Sequence, residues 1–271
     1  SEGGKHTMTL ERTDTGHMTD STIHFHILTL FPDMFSPMRS QGIFSRALSN
    51  NLVKLSLYDI RDYTSDRHKQ VDDYPFGGGP GMLMKPEPIF KAVEDIKKQI
   101  GQYNPPVILM SPQGETFSHE KAVKLSQTQH IILVCGRYEG FDERIREYLA
   151  TEEISLGDFV VSGGEIPAML LIDSISRQIP NVVGSPESIQ NDSFYNGLLQ
   201  FPQYTRPASF NDMQVPEILL SGNHEQIRKW RETKSIEKTF KRRPDLLNQL
   251  ELTHQQQNIL DELDVNKDPS S

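Results

Sequence analysis

Disulfides within the chain are excluded, because its 271 residues hold one cysteine, Cys135. A lone thiol fits a reducing compartment. Long apolar runs are missing too. The longest, residues 131–134 and 169–172, fall far short of the roughly 20 residues that cross a bilayer. No basic start leading into an apolar core marks a secretion signal. Residues 1–22 are poor in apolar side chains and begin with Ser. They read as a disordered tail, partly of non-native origin, with the native start at Met8 or Met18. Two phosphate-binding patterns, Gly-x-x-x-x-Gly-Lys and Gly-x-Gly-x-x-Gly, are absent. No His/Cys cluster has metal-ligand spacing, so no metal site is expected. Positive charge is scarce: the net charge is −9, and phosphate contacts need Lys and Arg.

What is present suits a globular protein, with 35% hydrophobic and 24% charged residues. One stretch reverses the overall charge. Residues 224–243 hold eight Lys/Arg against three Glu. That run reads either as a solvated helical face or as a docking surface for a polyanion.

The apolar pattern alternates strands and helices. Strands are expected over residues 23–30, 53–60, 107–110 and 131–134, with a turn into a helix after residues 31–35. Helices are expected over 88–100, 119–127, 141–150 and 167–178, the last with Pro167 in its first turn. This order predicts an α/β domain with a mostly parallel sheet. Residues 185–193 lack periodicity and read as a linker or mobile loop. Beyond them the chain reads as helical. Asn223 is a plausible N-cap with Gln226 three residues on, a capping-box pattern. Ile227 and Trp230 then face inward and Arg228, Lys229 and Arg231 outward.

Three glycine-containing loops follow strand-like runs. The first holds Ser111, Pro112 and Gly114. The second runs from Gly136 through Tyr138 and Glu139 to Gly140. The third runs from Leu156, Gly157 and Asp158 to Pro167, through Phe159, Val160, Val161, Gly163 and Gly164. Loops at the carboxyl ends of parallel strands are where α/β folds bind ligands. Each glycine alone serves a tight turn; three such loops in succession point to a ligand site. Residues 76–82 are too glycine-dense for a simple turn, and read as a flexible cover or a close-approach loop. Cys135 reads as a small buried hydrophobe rather than a catalytic thiol.

Seven strings in order carry a resemblance: TLFPDMF at 29–35, VDDYPFGGGPGMLM at 71–84, LMSPQG at 109–114, CGRYEGFDER at 135–144, ISLGDFVVSGGEIPA at 154–168, SFYNGLLQFPQYTRP at 193–207 and VPEILLSGNHEQIRKWR at 215–231. Together they resemble the bacterial tRNA (guanine-N1)-methyltransferase family (TrmD) of the SPOUT superfamily, from about Ile23 to Arg243. The resemblance implies a knotted methyltransferase domain over residues 23–184, with a parallel sheet and a deep C-terminal trefoil knot. It implies a mobile linker over 185–192 and a small, mostly helical tRNA-binding domain over 193–271. The knot loops are the three glycine loops above, and they would hold S-adenosylmethionine. Asp192 is implied as general base and Arg177 as the cation that stabilises charge on the guanine. Tyr138 would lie against the adenosine, Glu139 near the guanine edge, and Ser193 and Arg228 on the tRNA. A cytoplasmic homodimer with sites at the subunit interface, a Mg²⁺ requirement without assigned ligands, and no membrane contact are also implied. One departure is Gln200, where members commonly carry an acid.

Overall fold

The computed structural model describes residues 22–101 and 104–265. The tail reading therefore falls, Thr22 apart, outside the described residues. The chain opens with β1 (Ile23–Thr29), a 3-10 turn (Pro32–Phe35), α1 (Ser36–Ser40), α2 (Gly42–Ser49) and β2 (Val53–Asp59). A second 3-10 turn (Ile60–Tyr63) leads to the short β3 (Asp72–Asp73) and β4 (Leu83–Met84) and then α3 (Pro86–Ile100). Next come β5 (Val107–Thr116), α4 (His119–Leu125), β6 (His130–Cys135), α5 (Glu143–Tyr148), β7 (Glu152–Ser155) and α6 (Glu165–Ser176). The remainder holds α7 (Pro186–Gln190), the two-residue β8 (Ser209–Phe210) and β9 (Met213–Gln214), α8 (Glu217–Leu220), α9 (His224–Arg242), α10 (Pro244–Leu247) and α11 (His254–Val265).

The five longer strands form one parallel sheet in the order β2-β1-β6-β5-β7. The period of two sends alternate side chains to opposite faces. Ile131, Leu133 and Cys135 of β6 join one core, packed with residues of α2, α4 and α6 such as Phe44, Leu125 and Leu171. Ile132 and Val134 join the other, packed with Ile89, Val93 and Ile96 of α3 and Ile145 of α5. Both faces are covered, so the middle of the sheet is a near-continuous apolar run, Ile131–Cys135 of β6 and Val107–Met110 of β5, as buried parallel strands tend to be. A third cluster, Leu198, Ile236, Leu247 and Leu260, gathers α9, α10 and α11.

The expected α/β class and parallel sheet hold, and several boundaries move. β5 runs on to Thr116 rather than stopping at Met110, with a register shift against β7 between Met110 and Glu115. The first glycine loop is thus a bulge within a strand. Gly114 serves that bulge: a Cβ there would lie 2.3 Å from the Glu153 carbonyl carbon. β7 went unread because its Glu-Glu-Ile-Ser sequence carries one apolar residue. α6 starts at Glu165, two residues before Pro167. The stretch read as a linker contains α7, started by Pro186 at its first turn. Asn223 does cap α9, accepting from Gln226 N–H at 3.1 Å. The Asn223 N–H goes to Ser221 Oγ, not to the Gln226 side chain.

At the amino edge of the sheet, His24, His26 and His130 meet. Burial first, then the neighbouring imidazoles, lower His26 to about 3. Burial, then His130 and Lys54, lower His24 to about 4. A free histidine titrates near 6.5, so between these values the unfolded chain binds more protons than the folded one. The stability contributed by these two neutral rings is therefore full above about pH 6.5 and is lost as the pH falls toward 4 for His24 and 3 for His26. We expect the melting temperature to decline across that window, with the His24 and His26 rings still neutral by NMR at pH 5. Titration of both rings near 6.5 would sink this reading.

Candidate active site

The carboxyl ends of β6, β5 and β7 open onto a cavity of about 290 Å³. β5 contributes Met110, Ser111, Pro112 and Gln113. The loop after β6 contributes residues 136–141, and the segment after β7 contributes Leu156, residues 159–164 and Pro167. Of the residues expected to hold the cofactor, Gly114, Gly157 and Asp158 do not line it. Gly157 (φ +153°) sits under the Phe159 ring, and Asp158 is exposed. Ser111, Pro112, Gly136, Tyr138, Leu156, Phe159, Val160, Val161, Gly163, Gly164 and Pro167 all line it, as does Glu139.

The walls are held by close backbone approach. Gly164 N–H donates to the Gly136 carbonyl at 2.9 Å. A Cβ on Gly164 would sit 2.7 Å from the Cys135 Cα and 2.9 Å from the Gly136 nitrogen. Gly163 leaves room for Arg137, whose Nε a Cβ would meet at 2.3 Å. Tyr138 adopts a left-handed φ of 61° and is half exposed. Glu139 N–H donates to the Met82 carbonyl at 3.0 Å. Its side chain lies where a Cβ on Gly81 would go, so the 76–82 stretch is a close-approach loop at that point. Cys135 is wholly buried, and burial pushes its thiol well up; it is a packing residue.

The sequence reading missed an ion pair under this cavity. Glu165 is 1% exposed. One of its oxygens accepts from Thr29 Oγ1 at 2.8 Å. The other meets Arg137 Nε and Nη2, both at 3.0 Å. The guanidinium stacks 4.4 Å from the Phe31 ring centroid. A glutamate directly after Gly-Gly, at the first turn of an apolar helix, was the available signal.

Arg177 and Asp192 come together away from that cavity. Arg177 Nη2 donates to Asp192 Oδ2 at 2.6 Å. Arg177 caps the end of α6 and Asp192 follows α7, so the turn through α7 brings them into contact. Neither lines the cavity. Ser193 Oγ accepts from Gln200 N–H at 2.9 Å, and Lys238 of α9 donates to the Gln200 carbonyl. Arg228 is exposed on α9, with Glu232 at 3.8 Å, and lines a second concavity with Asn191 and Arg231. Among the described residues, one group of three or more side chains lies close enough to share an ion: His24, His26 and His130. That imidazole set does not fit Mg²⁺, which takes oxygen ligands.

The family model for tRNA (guanine-1)-methyltransferase TrmD matches residues 23–249. The chain belongs to that family. Among similar TrmD relatives, the tRNA (guanine-N(1)-)-methyltransferase of Moorella thermoacetica is 52% identical over 237 residues, 88% of this chain and 95% of the relative. That of Staphylococcus aureus is 51% identical over 234 residues, 86% and 94% of the two chains. The solved tRNA (m1G37) methyltransferase of Aquifex aeolicus superposes with a TM-score of 0.68 at 39% identity, over 84% of this chain and 96% of its own. The glycine loops and the Arg177–Asp192 pair all fall inside the TrmD match.

Proposed function

We propose that the chain transfers the methyl group of S-adenosylmethionine to N1 of guanosine 37 in tRNA. The observation that carries this reading is the cavity at the carboxyl edge of the sheet, in a chain the family model matches over residues 23–249. Its walls suit the donor. Backbone N–H and C=O groups of the glycine loops can read the edge of a flat ring, and Leu156, Phe159 and Val160 offer apolar surface. When bound, S-adenosylmethionine supplies a methyl group already activated by its sulfonium.

The side chains supply what guanine lacks. N1 carries a proton at neutral pH and attacks only as that proton leaves. Asp192 takes the proton as general base. Negative charge then grows on O6, and Arg177 stabilises it. One Arg177 nitrogen is engaged by Asp192, which leaves further donors of its fork for the base. Glu139, on the cavity wall, reads the guanine edge. Ser193 and Arg228 contact the tRNA, and the basic face of α9 adds sequence-independent affinity.

The working form is a homodimer. Arg177 and Asp192 stand outside the cavity of their own chain, so the pair of one subunit completes the pocket of the other. Ile166 and Leu170 are exposed one turn apart on α6, and Ile166 shares a concavity with the exposed Val160 and Val161. This apolar stripe next to the cavity supports the pairing. Residues 23–184 form the knotted domain, 185–192 the connection and 193–271 the tRNA-binding part, in a cytoplasmic enzyme.

Labelled methyl transfer to tRNA transcripts tests the proposal. Incorporation is expected with guanosine at position 37 and not with that base replaced; equal incorporation into both would overturn it. A second expectation concerns the pocket wall. Gly164→Ala forces a carbon against the Cys135 backbone. It should weaken S-adenosylmethionine binding about tenfold, roughly 1.4 kcal/mol of misfit. Unchanged affinity by calorimetry would detach Gly164 from the site.

A further inference from the structure

Three imidazoles converge at the end of the sheet opposite the glycine-loop cavity. His24 and His26 lie two apart on β1, so the strand period puts both on the α3 face. His130 faces them because β6 pairs with β1 with His130 opposite His24. One ring nitrogen of each lies within 4.8 Å of the others. His26 Nε2 and His130 Nδ1 are 3.0 Å apart. We infer that these three histidines bind a divalent late first-row transition metal, Zn²⁺ foremost, through three ring nitrogens with the fourth position open to solvent.

Ligand chemistry and geometry agree. Three neutral nitrogens suit Zn²⁺, Co²⁺, Ni²⁺ and Cu²⁺. Zn–N bonds of about 2.0–2.1 Å in a tetrahedron place ligand nitrogens about 3.4 Å apart, so the His26–His130 pair opens by a few tenths of an ångström. His26 is buried while His24 and His130 are half-buried, which gives an ion a way in.

The surrounding hydrogen bonds preset His26. The Asp95 carboxylate accepts from Gln99 Nε2 at 3.1 Å, which turns Gln99 Oε1 toward Tyr58. Tyr58 therefore donates to Gln99, and its oxygen accepts from His26 Nδ1 at 3.2 Å. The His26 proton sits on Nδ1, and the Nε2 lone pair faces the cluster. An outer partner of this kind fixes a metal-binding tautomer. Ser56 Oγ meets His24 Nε2 at 2.7 Å and orients that ring. Lys54, beside His24 in the sheet register, opposes a cation and tempers the affinity.

The test is titration of the full, chelator-treated chain with Co²⁺, followed by visible absorption, and then displacement by Zn²⁺. One ion per chain with a tetrahedral spectrum is expected. The paired change His24→Gln, His130→Gln should weaken binding by more than about 10²-fold, and Tyr58→Phe by about tenfold. Lys54→Gln should tighten it. The chain has nine histidines, so undiminished binding in the paired variant would put the ion elsewhere and overturn the site, as would no binding by wild type. Should the paired variant not fold, imidazole NMR of wild type decides. Substoichiometric Co²⁺ should broaden His24, His26 and His130 first; broadening confined to other histidines overturns the proposal.

Discussion

Asp192→Asn is expected to lower kcat for guanosine methylation by a factor of about 10²–10⁴, the range for loss of a positioned general base. The exchange is nearly isosteric, and the amide oxygen still accepts from Arg177. Stability should barely move. The Arg177–Asp192 pair is more than a third exposed on average, at 33% and 40%, and such pairs contribute about 0–1 kcal/mol. A large loss in kcat beside an unchanged melting temperature is what a catalytic carboxylate predicts. A structural turn residue predicts the reverse. Single-turnover methyl transfer with S-adenosylmethionine and tRNA saturating isolates the chemical step. Full activity in the variant would remove Asp192 from the reaction.

Arg137→Met is expected to cost about 3–5 kcal/mol of stability, because it strands the buried Glu165 carboxylate with only the Thr29 hydroxyl. For a chain of this size that is a fall of about 10 °C in melting temperature. Glu165→Leu should cost less. Arg137 keeps 21% exposure and can turn toward water. Combining the two changes removes both charges and should recover much of the loss, since a buried pair often does no better than apolar residues of its size. Denaturant unfolding of the two single variants and the double variant measures this cycle. A cost below about 1 kcal/mol for Arg137→Met would mean that Glu165 finds another partner or takes up a proton.

The parts legible in the sequence were those governed by local pattern. β1, β2 and β6 announced themselves through β-branched and alternating residues, and the glycine loops stood out because each follows such a run. Asn223 was readable as a cap from its side chain and position. β7 was not readable: its burial comes from pairing beside β5, which its polar residues do not signal. The bulge at Gly114 depends on the register between β5 and β7, which exists only in the sheet. Arg137 and Glu165 are 28 residues apart, and only the fold sets them together. The histidine trio shows the same limit. His-x-His in an apolar strand was visible, but His130 lies 104 residues from His26, and only the β1–β6 register joins them. Asp192 and Arg177 came from resemblance alone, because a carboxylate and a guanidinium at helix ends are most often capping or surface groups.

The pocket's three walls also fix when it can exist during synthesis. They come from residues 110–113, residues 136–141, and residues 154–156, 159–164 and 167, each group placed by a different strand of one sheet. No shorter nascent chain holds the cavity. Until Pro167 has left the ribosome, the first two walls face an edge that β7 and α6 have yet to complete. Ligand capture is therefore a late event in the life of the growing chain, and binding by a stalled intermediate should switch on only once the start of α6 has emerged.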